Sequence, residues 1–574
     1  MKYKFESLSK KQREIVFQKS GQFVVRACPG SGKTYSVAAR LAYKISEWKK
    51  RCQGIAAISF TNVAWQEIES KLSEDFGIRT PLNYPHFLGT IDSFINRFIF
   101  LPFGHLVMKC SCRPILVGPP HGRWTGRNFF EEQFTNISFG LDDSCYLIHK
   151  QAINSKTWSN NKHKFLATKN RLLKFGYVIQ ADANYFAMKI LREYPQVAKS
   201  LITRFPEFII DEAQDTSDIQ MEIIDLLIQN GLQEIALIGD PDQAIFEWNE
   251  AKPQLFNDKF ESWKKNSICL NDNRRSSQNI CNFTFGLSTL ENCSIATSNE
   301  VKNFSFIPEI ITYDSQNLKN TIDYFLKVCI ENDIVIDEQN VAVLYRSKSF
   351  YDLVLNRDDE IQNSQNDPWD PKKPFVKNIA FGKYLYDNGK FREGFDKVTK
   401  ATIKGHNNLR CCTQENIRTI IEKNGFIEYR REFYRIISQI LPSTKLTLKN
   451  WITLANSNFK KENINLTLSI KNKANDCYFD ELFLSEIAKD DDLPFKLGTV
   501  HSVKGETFEA VLLLLKSKGI GKTYMNLLKQ NVSLVDSEEL RIIYVGITRP
   551  RKVLILAVPN IENKHCWENK LISA

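Results

Sequence analysis

Residues 27 to 34 read Ala27-Cys28-Pro29-Gly30-Ser31-Gly32-Lys33-Thr34, between the apolar run Phe23-Val24-Val25 and a helix-compatible stretch from Tyr35 to Trp48. An apolar strand that turns through glycines into a helix makes a cradle for phosphate. Backbone N–H groups and the helix N-terminus face the anion, Lys33 adds a point charge, and the Thr34 hydroxyl is placed for magnesium. This predicts a parallel α/β fold that binds a nucleoside triphosphate. Ala27 stands where the strict pattern has glycine, so the reading needs a second element.

That element is Phe208-Ile209-Ile210-Asp211-Glu212, a short apolar run closed by two carboxylates. Such a run is expected of a strand buried on both faces, with its C-terminal end at the nucleotide. Asp211 would then hold the magnesium ion, and Glu212 would polarise the attacking water. An isolated Asp-Glu pair is more often a solvated turn, but a P-loop in the same chain reverses that preference. A second Gly-Lys-Thr, in Lys518-Gly519-Ile520-Gly521-Lys522-Thr523, follows the run Val511 to Leu515. Lys516 occupies the position of the first glycine and no Asp-Glu strand follows, so this stretch is read as a basic loop.

The 574 residues exceed a single core and predict two to four domains, with 43% hydrophobic and 25% charged residues as in folded soluble proteins. There is no run of about 18 apolar residues and no signal-peptide core, which predicts a cytoplasmic protein without membrane contact. Thirteen scattered cysteines suit reduced side chains. Cys110, Cys112, Cys145, Cys411 and Cys412 repeat no zinc spacing. A net charge of +11 with 12% aromatics is compatible with a polyanionic partner.

Strand-like runs recur at Ile55 to Phe60, Phe208 to Ile210 and Ile235 to Ile238, then at Val341 to Leu344, Val511 to Leu515 and Val553 to Val558. They form two sets of parallel strands. Residues 97–200 and 348–490 lack this rhythm and read as mainly helical insertions. The predicted domains are 1–96 with 201–265, the insertion 97–200, 266–347 with 491–574, and the reduced insertion 348–490. Asp367-Pro368-Trp369-Asp370-Pro371 and Lys372-Lys373-Pro374 mark a loop, and no internal repeat is visible.

Seven further blocks fall in one order and resemble the UvrD/Rep-like branch of superfamily 1 DNA helicases. Gln12 sits where that family's glutamine reads adenine. Ser59-Phe60-Thr61-Asn62-Val63-Ala64 is similar to block Ia, Gly89-Thr90-Ile91-Asp92-Ser93-Phe94 to Ib, and Asp211-Glu212-Ala213-Gln214-Asp215 to motif II. Ile238 to Trp248 is similar to motif III, Asn273-Arg274-Arg275-Ser276 to motif IV, Gly498 to Glu506 to motif V, and Tyr544 to Arg549 to motif VI. The resemblance implies two RecA-like P-loop cores that bind ATP and Mg2+ between them. It implies Lys33, Asp211, Glu212, Gln243, Arg275 and Arg549 as the hydrolytic set, with the loop Ala27, Cys28, Pro29, Gly30, Ser31, Gly32 and Thr34 around the phosphates. Tyr35 and Arg274 would sandwich the base, with the aromatic and the guanidinium exchanged relative to the family. Glu506 stands one place from the family's ribose-contacting carboxylate. Phe60, Thr61, Asn62, Thr90, Phe246, Trp248 and His501 would contact DNA, the aromatics by stacking and His501 by linking DNA to the ATP cleft.

A closing and opening pair of cores predicts a motor on single-stranded DNA or DNA with single-stranded tails, and the resemblance implies 3′ to 5′ movement. Only 25 residues follow Arg549, which leaves no nuclease domain there, so cleavage is expected from a partner. The Lys504-Gly505-Glu506-Thr507 form of motif V resembles the helicase subunit of Gabija-type anti-phage systems, whose partner is a nuclease of the overcoming-lysogenisation-defect (OLD) family. The alternatives are a regulatory DNA-dependent ATPase that gates a nuclease, a housekeeping repair helicase and an RNA helicase.

Overall fold

The computed structural model describes residues 5–572 apart from 111, 123, 149–152, 246–251, 315–317, 348, 355–367, 371–372, 407–416, 418–419, 422–424, 472–475, 488–492, 518 and 520–522. The chain forms two compact units, Met1–Tyr351 with Pro494–Ala574, and Asp352–Leu493.

The larger unit holds two parallel sheets. In the first, the strands run in the order Ile268–Leu270, Gln22–Ala27, Glu234–Gly239, Glu207–Ile210, Ile55–Ser59, Phe87–Thr90. The central strands are continuous apolar runs because helices cover both faces; every residue of Ile55–Ser59 and of Glu207–Ile210 is buried. The register sets Val25 against Ile238 and Ile58 against Ile210, so the loops after these strands open on one edge. The second sheet runs Glu309–Thr312, Pro550–Val558, Phe508–Leu514, Val341–Tyr345, Lys496–Thr499, again all parallel. The sequence reading missed the two edge strands of each sheet, because they are only partly buried and three of the four carry glycine or a charged residue, so no continuous apolar run marks them.

An internal repeat exists, contrary to the expectation from sequence. Leu88-Gly89-Thr90-Ile91-Asp92-Ser93 and Leu497-Gly498-Thr499-Val500-His501-Ser502 share the pattern Leu-Gly-Thr-(Ile/Val)-x-Ser. Each closes the edge strand at the same end of its sheet order. In each the threonine caps the following turn, Thr90 Oγ1 accepting from Ser93 N at 3.1 Å and Thr499 Oγ1 from Ser502 N at 3.2 Å. In each the serine hydroxyl donates back to the threonine carbonyl at 2.7 Å. Six residues are too few to stand out without the topology.

Residues 97–200 combine the helices Leu101–Met108, Ser155–Lys174 and Gln180–Glu193 with two small strand pairs. They share one continuous hydrophobic core with the first sheet, in which Phe134 and Met188 join Phe94 and Ile58. A fully buried ion pair, Lys169 to Asp182 at 2.6 Å, joins the last two of these helices.

The smaller unit is helical, with Pro374–Asp387, Phe391–His406, Phe426–Arg435, Leu448–Lys461 and Phe479–Ile487 around Trp451, Ile437 and Phe483. Trp369, expected in a loop, is buried there against Phe483 at 5.8 Å between ring centroids. Asp367, Pro371 and Lys372 lie outside the described residues, as do Cys411 and Cys412. Among the described residues no helix is long and apolar enough to cross a membrane, and no three His, Cys, Asp or Glu side chains are grouped to hold a metal.

Candidate active site and nucleic-acid groove

The glycine-rich loop leaves Gln22–Ala27 and enters the helix Lys33–Glu47. Gly30 and Gly32 both have positive φ, +70° and +74°. A side chain at Gly30 would come within 2.6 Å of Asn273 Oδ1 and 2.7 Å of Arg275 Cβ, so the glycine admits the second core's Asn273-Arg274-Arg275 segment. Arg274 N donates to the Gly30 carbonyl at 2.8 Å and fixes that approach.

A cavity of about 360 Å³ opens above the loop, lined by Gly30, Ser31, Gly32, Lys33, Thr34 and Tyr35 together with Glu212, Gln243, Arg275, His501, Lys504 and Arg549. Asp211 is buried; its Oδ1 accepts from Glu212 N at 3.0 Å, while Oδ2 has no hydrogen-bond partner. Burial and the adjacent Glu212 push the Asp211 carboxyl up to about 8. Burial also acts on Glu212, but Lys33, Lys504 and the Gln214 amide outweigh it and hold that carboxyl below the usual range.

Two arginines from the second core face the same space. Arg549 is buried and donates to Gln243 Oε1 at 2.6 Å and to the Val545 carbonyl at 2.9 Å; Arg275 donates to the Thr548 carbonyl at 3.1 Å. These acceptors carry no charge. Burial, reinforced for Arg549 by Arg275, lowers the guanidinium pKa values to about 9 for Arg549 and about 10 for Arg275. A bound polyanion would reverse both effects, since an opposite charge favours the charged form. Besides the Arg549–Gln243 and Arg274–Gly30 contacts, Lys504 Nζ to Asp215 Oδ2 at 2.7 Å and Arg541 Nε to the Ala244 carbonyl at 2.5 Å also cross between the cores beside the cavity.

Several residues expected at the nucleotide have protein partners. Ala27, Cys28 and Pro29 are buried beneath the loop. Gln12 is fully buried, with Oε1 accepting from Ser9 N at 3.0 Å and Nε2 donating to the Ser31 carbonyl at 3.1 Å; it braces the loop. Arg274 and Tyr35 converge on Ser7, the guanidinium on its carbonyl at 2.6 Å and the phenol on its hydroxyl at 3.1 Å. The Glu506 carboxylate pairs with Lys496 at 2.6 Å. Of the second Gly-Lys-Thr stretch, Gly519 packs against the Glu539 carboxylate, a poor neighbour for phosphate.

A second cavity, of about 740 Å³, gathers Phe60, Thr61, Asn62 and Thr90 with Asn96, Arg97, Arg113, His121 and Gln180. Thr61 lines both cavities. Arg97, Arg113 and His121 come from the insertion and carry no motif, so sequence reading could not single them out. His501 hydrogen-bonds the Ile245 backbone; burial and Arg346 hold its pKa below the usual range, so the ring is neutral at neutral pH. Phe246 and Trp248, the expected base-stacking pair, lie outside the described residues.

The UvrD/REP helicase N-terminal domain profile matches residues 8–112 and 129–264, and the UvrD-like helicase C-terminal domain profile matches residues 406–560. The chain is 25% identical to the Gabija protein GajB of Bacillus cereus (strain VD045) over 87% of this chain and 88% of that one. It is 23% identical to the ATP-dependent DNA helicase Rep of Buchnera aphidicola over 96% and 94%. A shorter match, 38% identical over 26% of this chain, is to 13% of the exonuclease/helicase protein RexA of Streptococcus pneumoniae serotype 4.

Proposed function

The chain belongs to the UvrD-like helicases, which are ATP-hydrolysing enzymes of DNA, and on that footing we propose that its 360 Å³ cavity is the ATPase centre of a single-stranded-DNA motor. The observation that carries this reading is the convergence of Lys33 and the loop glycines with Arg275 and Arg549 of the other core. Lys33 and the backbone cradle hold the β- and γ-phosphates. Arg275 and Arg549 stabilise charge on the transferring phosphoryl group only when the cores close, which couples hydrolysis to movement. Glu212 orients the attacking water, and Gln243, within motif III, senses the γ-phosphate.

The donor set fits magnesium. Asp211 Oδ2 is a buried, unpartnered oxygen, and Thr34 lines the cavity, both hard donors of the kind that ion takes. When bound, the ion would neutralise charge on the phosphates. Tyr35, Arg274, Gln12 and Glu506 form the base and ribose side of the site in this reading, and the first two would exchange their Ser7 contacts for the base.

The groove with Phe60, Thr61, Asn62 and Thr90 is the DNA path, with His501 linking it to the ATP cleft and Phe246 and Trp248 assigned to base stacking; movement is 3′ to 5′. Similarity to a Gabija protein over most of both chains supports an anti-phage role beside an OLD-type nuclease. The test is steady-state ATPase with and without single-stranded DNA, beside Lys33→Ala. Stimulation by DNA, lost in the variant, supports the motor. Hydrolysis indifferent to DNA refutes it in favour of a regulatory ATPase, and stronger stimulation by a matched RNA strand refutes the choice of DNA.

A further inference from the structure

Motif II and motif III are joined by one side chain that the motor reading does not use. Gln214 is fully buried in the turn Ala213–Asp215. Its Oε1 accepts the Asp240 backbone N–H at 3.0 Å, which fixes the orientation of the amide. The amino end is thereby aimed at motif II, where Nε2 donates to Glu212 Oε2 at 2.5 Å and, more weakly, to Asp215 Oδ2 at 3.3 Å. Gly239 leaves the space this needs, since any side chain there would strike the Gln214 amide oxygen. The residue it holds is conformationally unusual: Glu212 has φ +52°, a left-handed backbone that a non-glycine residue keeps only where the surroundings enforce it.

The chain of contacts continues. Asp240, held through its N–H by Gln214, accepts Gln243 Nε2 on Oδ2 at 2.5 Å, and Gln243 Oε1 accepts Arg549 at 2.6 Å. Glu212, Gln214, Asp240, Gln243 and Arg549 thus form one unbroken series from motif II of the first core to motif VI of the second. Gln214, Asp240, Gln243 and Arg549 are all buried, and hydrogen bonds in such a low-dielectric interior tolerate little displacement before they are lost.

We propose that Gln214 is a positioning residue that ties the Glu212 carboxylate to the Asp240–Gln243–Arg549 series, so that engagement of the second core's arginine sets the orientation of the water-polarising group. The proposal rests on the role given to Glu212 above. A glutamine that merely filled the core would contribute to stability alone. A tie of this kind acts on the chemical step, with nucleotide binding left to Lys33 and the loop.

The test uses Gln214→Met, which keeps volume and removes both ends of the tie. Turnover with saturating ATP and single-stranded DNA should fall about 10- to 100-fold, the loss expected for a hydrogen bond to a charged group. The KM for ATP and the equilibrium dissociation constant for a fluorescent ATP analogue should stay within about threefold. Combined with Arg549→Gln, the loss should be clearly less than the product of the two single losses, as for residues acting in one network. Wild-type turnover, a defect confined to KM or nucleotide binding, or multiplicative losses would each overturn the proposal. Should Gln214→Met fail to fold, Gln214→Leu carries the same test, since it too lacks the acceptor for Asp240 N–H and the donor to Glu212. Glu212→Gln separates the premise from the tie. Normal turnover in Glu212→Gln removes the premise, whereas an inactive Glu212→Gln beside a fully active Gln214→Met removes the tie alone.

Discussion

Replacing Arg549 with glutamine should stop turnover and at the same time stabilise the nucleotide-free protein. The guanidinium is buried, its acceptors are uncharged, and Arg275 repels it, so its pKa falls from 12.5 to about 9. At about 1.4 kcal/mol per unit, this is a penalty of roughly 4–5 kcal/mol for keeping the charge in the folded state. Glutamine removes the charge but loses some hydrogen bonding to Gln243 and Val545, about 2–3 kcal/mol in all. The balance is about 2 kcal/mol in favour of Arg549→Gln, a rise of a few degrees in the melting temperature. The sign follows from linkage: a cation bound less tightly in the folded state destabilises it at any pH below about 9, and the penalty fades as pH rises from there toward 12.5. The stability gap between variant and wild type should therefore be constant from about pH 6 to 8 and narrow above 9. Turnover should fall about 10³-fold, the lower end of the range for an arginine acting on a transferring phosphoryl group. Differential scanning fluorimetry without nucleotide and steady-state ATPase with DNA measure the two effects. A less stable variant with near-normal turnover would overturn this account, because it would make Arg549 a structural cross-link between the cores.

Gly30→Ala should abolish nucleotide binding in equilibrium titration, since its side chain would meet Asn273 and Arg275 at 2.6 and 2.7 Å on a backbone with φ +70°; retained binding would show that the loop can shift. Arg97→Ala and Arg113→Ala should each weaken single-stranded DNA binding and reduce the slope of log affinity against log salt by about 0.7, with basal ATPase unchanged. An unaltered slope would take these residues off the DNA path. Lys169→Met should cost about 3–5 kcal/mol by stranding Asp182 in the core, visible as faster amide exchange in Ser155–Lys174 and Gln180–Glu193, and Lys169→Met with Asp182→Leu should recover most of it. No recovery would show that Asp182 matters instead through its bonds to Ile179 N and Ser138.

Elements whose physics is local were legible in the chain before any fold was known. A phosphate loop, a strand ending in Asp211-Glu212 and six apolar runs stand out because burial on both faces demands continuous hydrophobicity, and because a turn between strand and helix demands glycine. The edge strands were lost because partial burial admits polar residues and glycine that break the apolar run, and the repeat of Leu88 to Ser93 in Leu497 to Ser502 had no meaning until both segments stood at equivalent edges. Which groups meet was settled by the folded arrangement. Gln12 braces the P-loop, Arg274 and Tyr35 converge on Ser7, Arg97 and Arg113 enter the groove from an insertion without motifs, and Gln214 reaches Asp240 across 26 residues. A side chain's partner is set by the path of the chain between them, and hydrophobic periodicity, which fixes strand and helix, carries no record of which polar atoms that path brings within hydrogen-bonding reach.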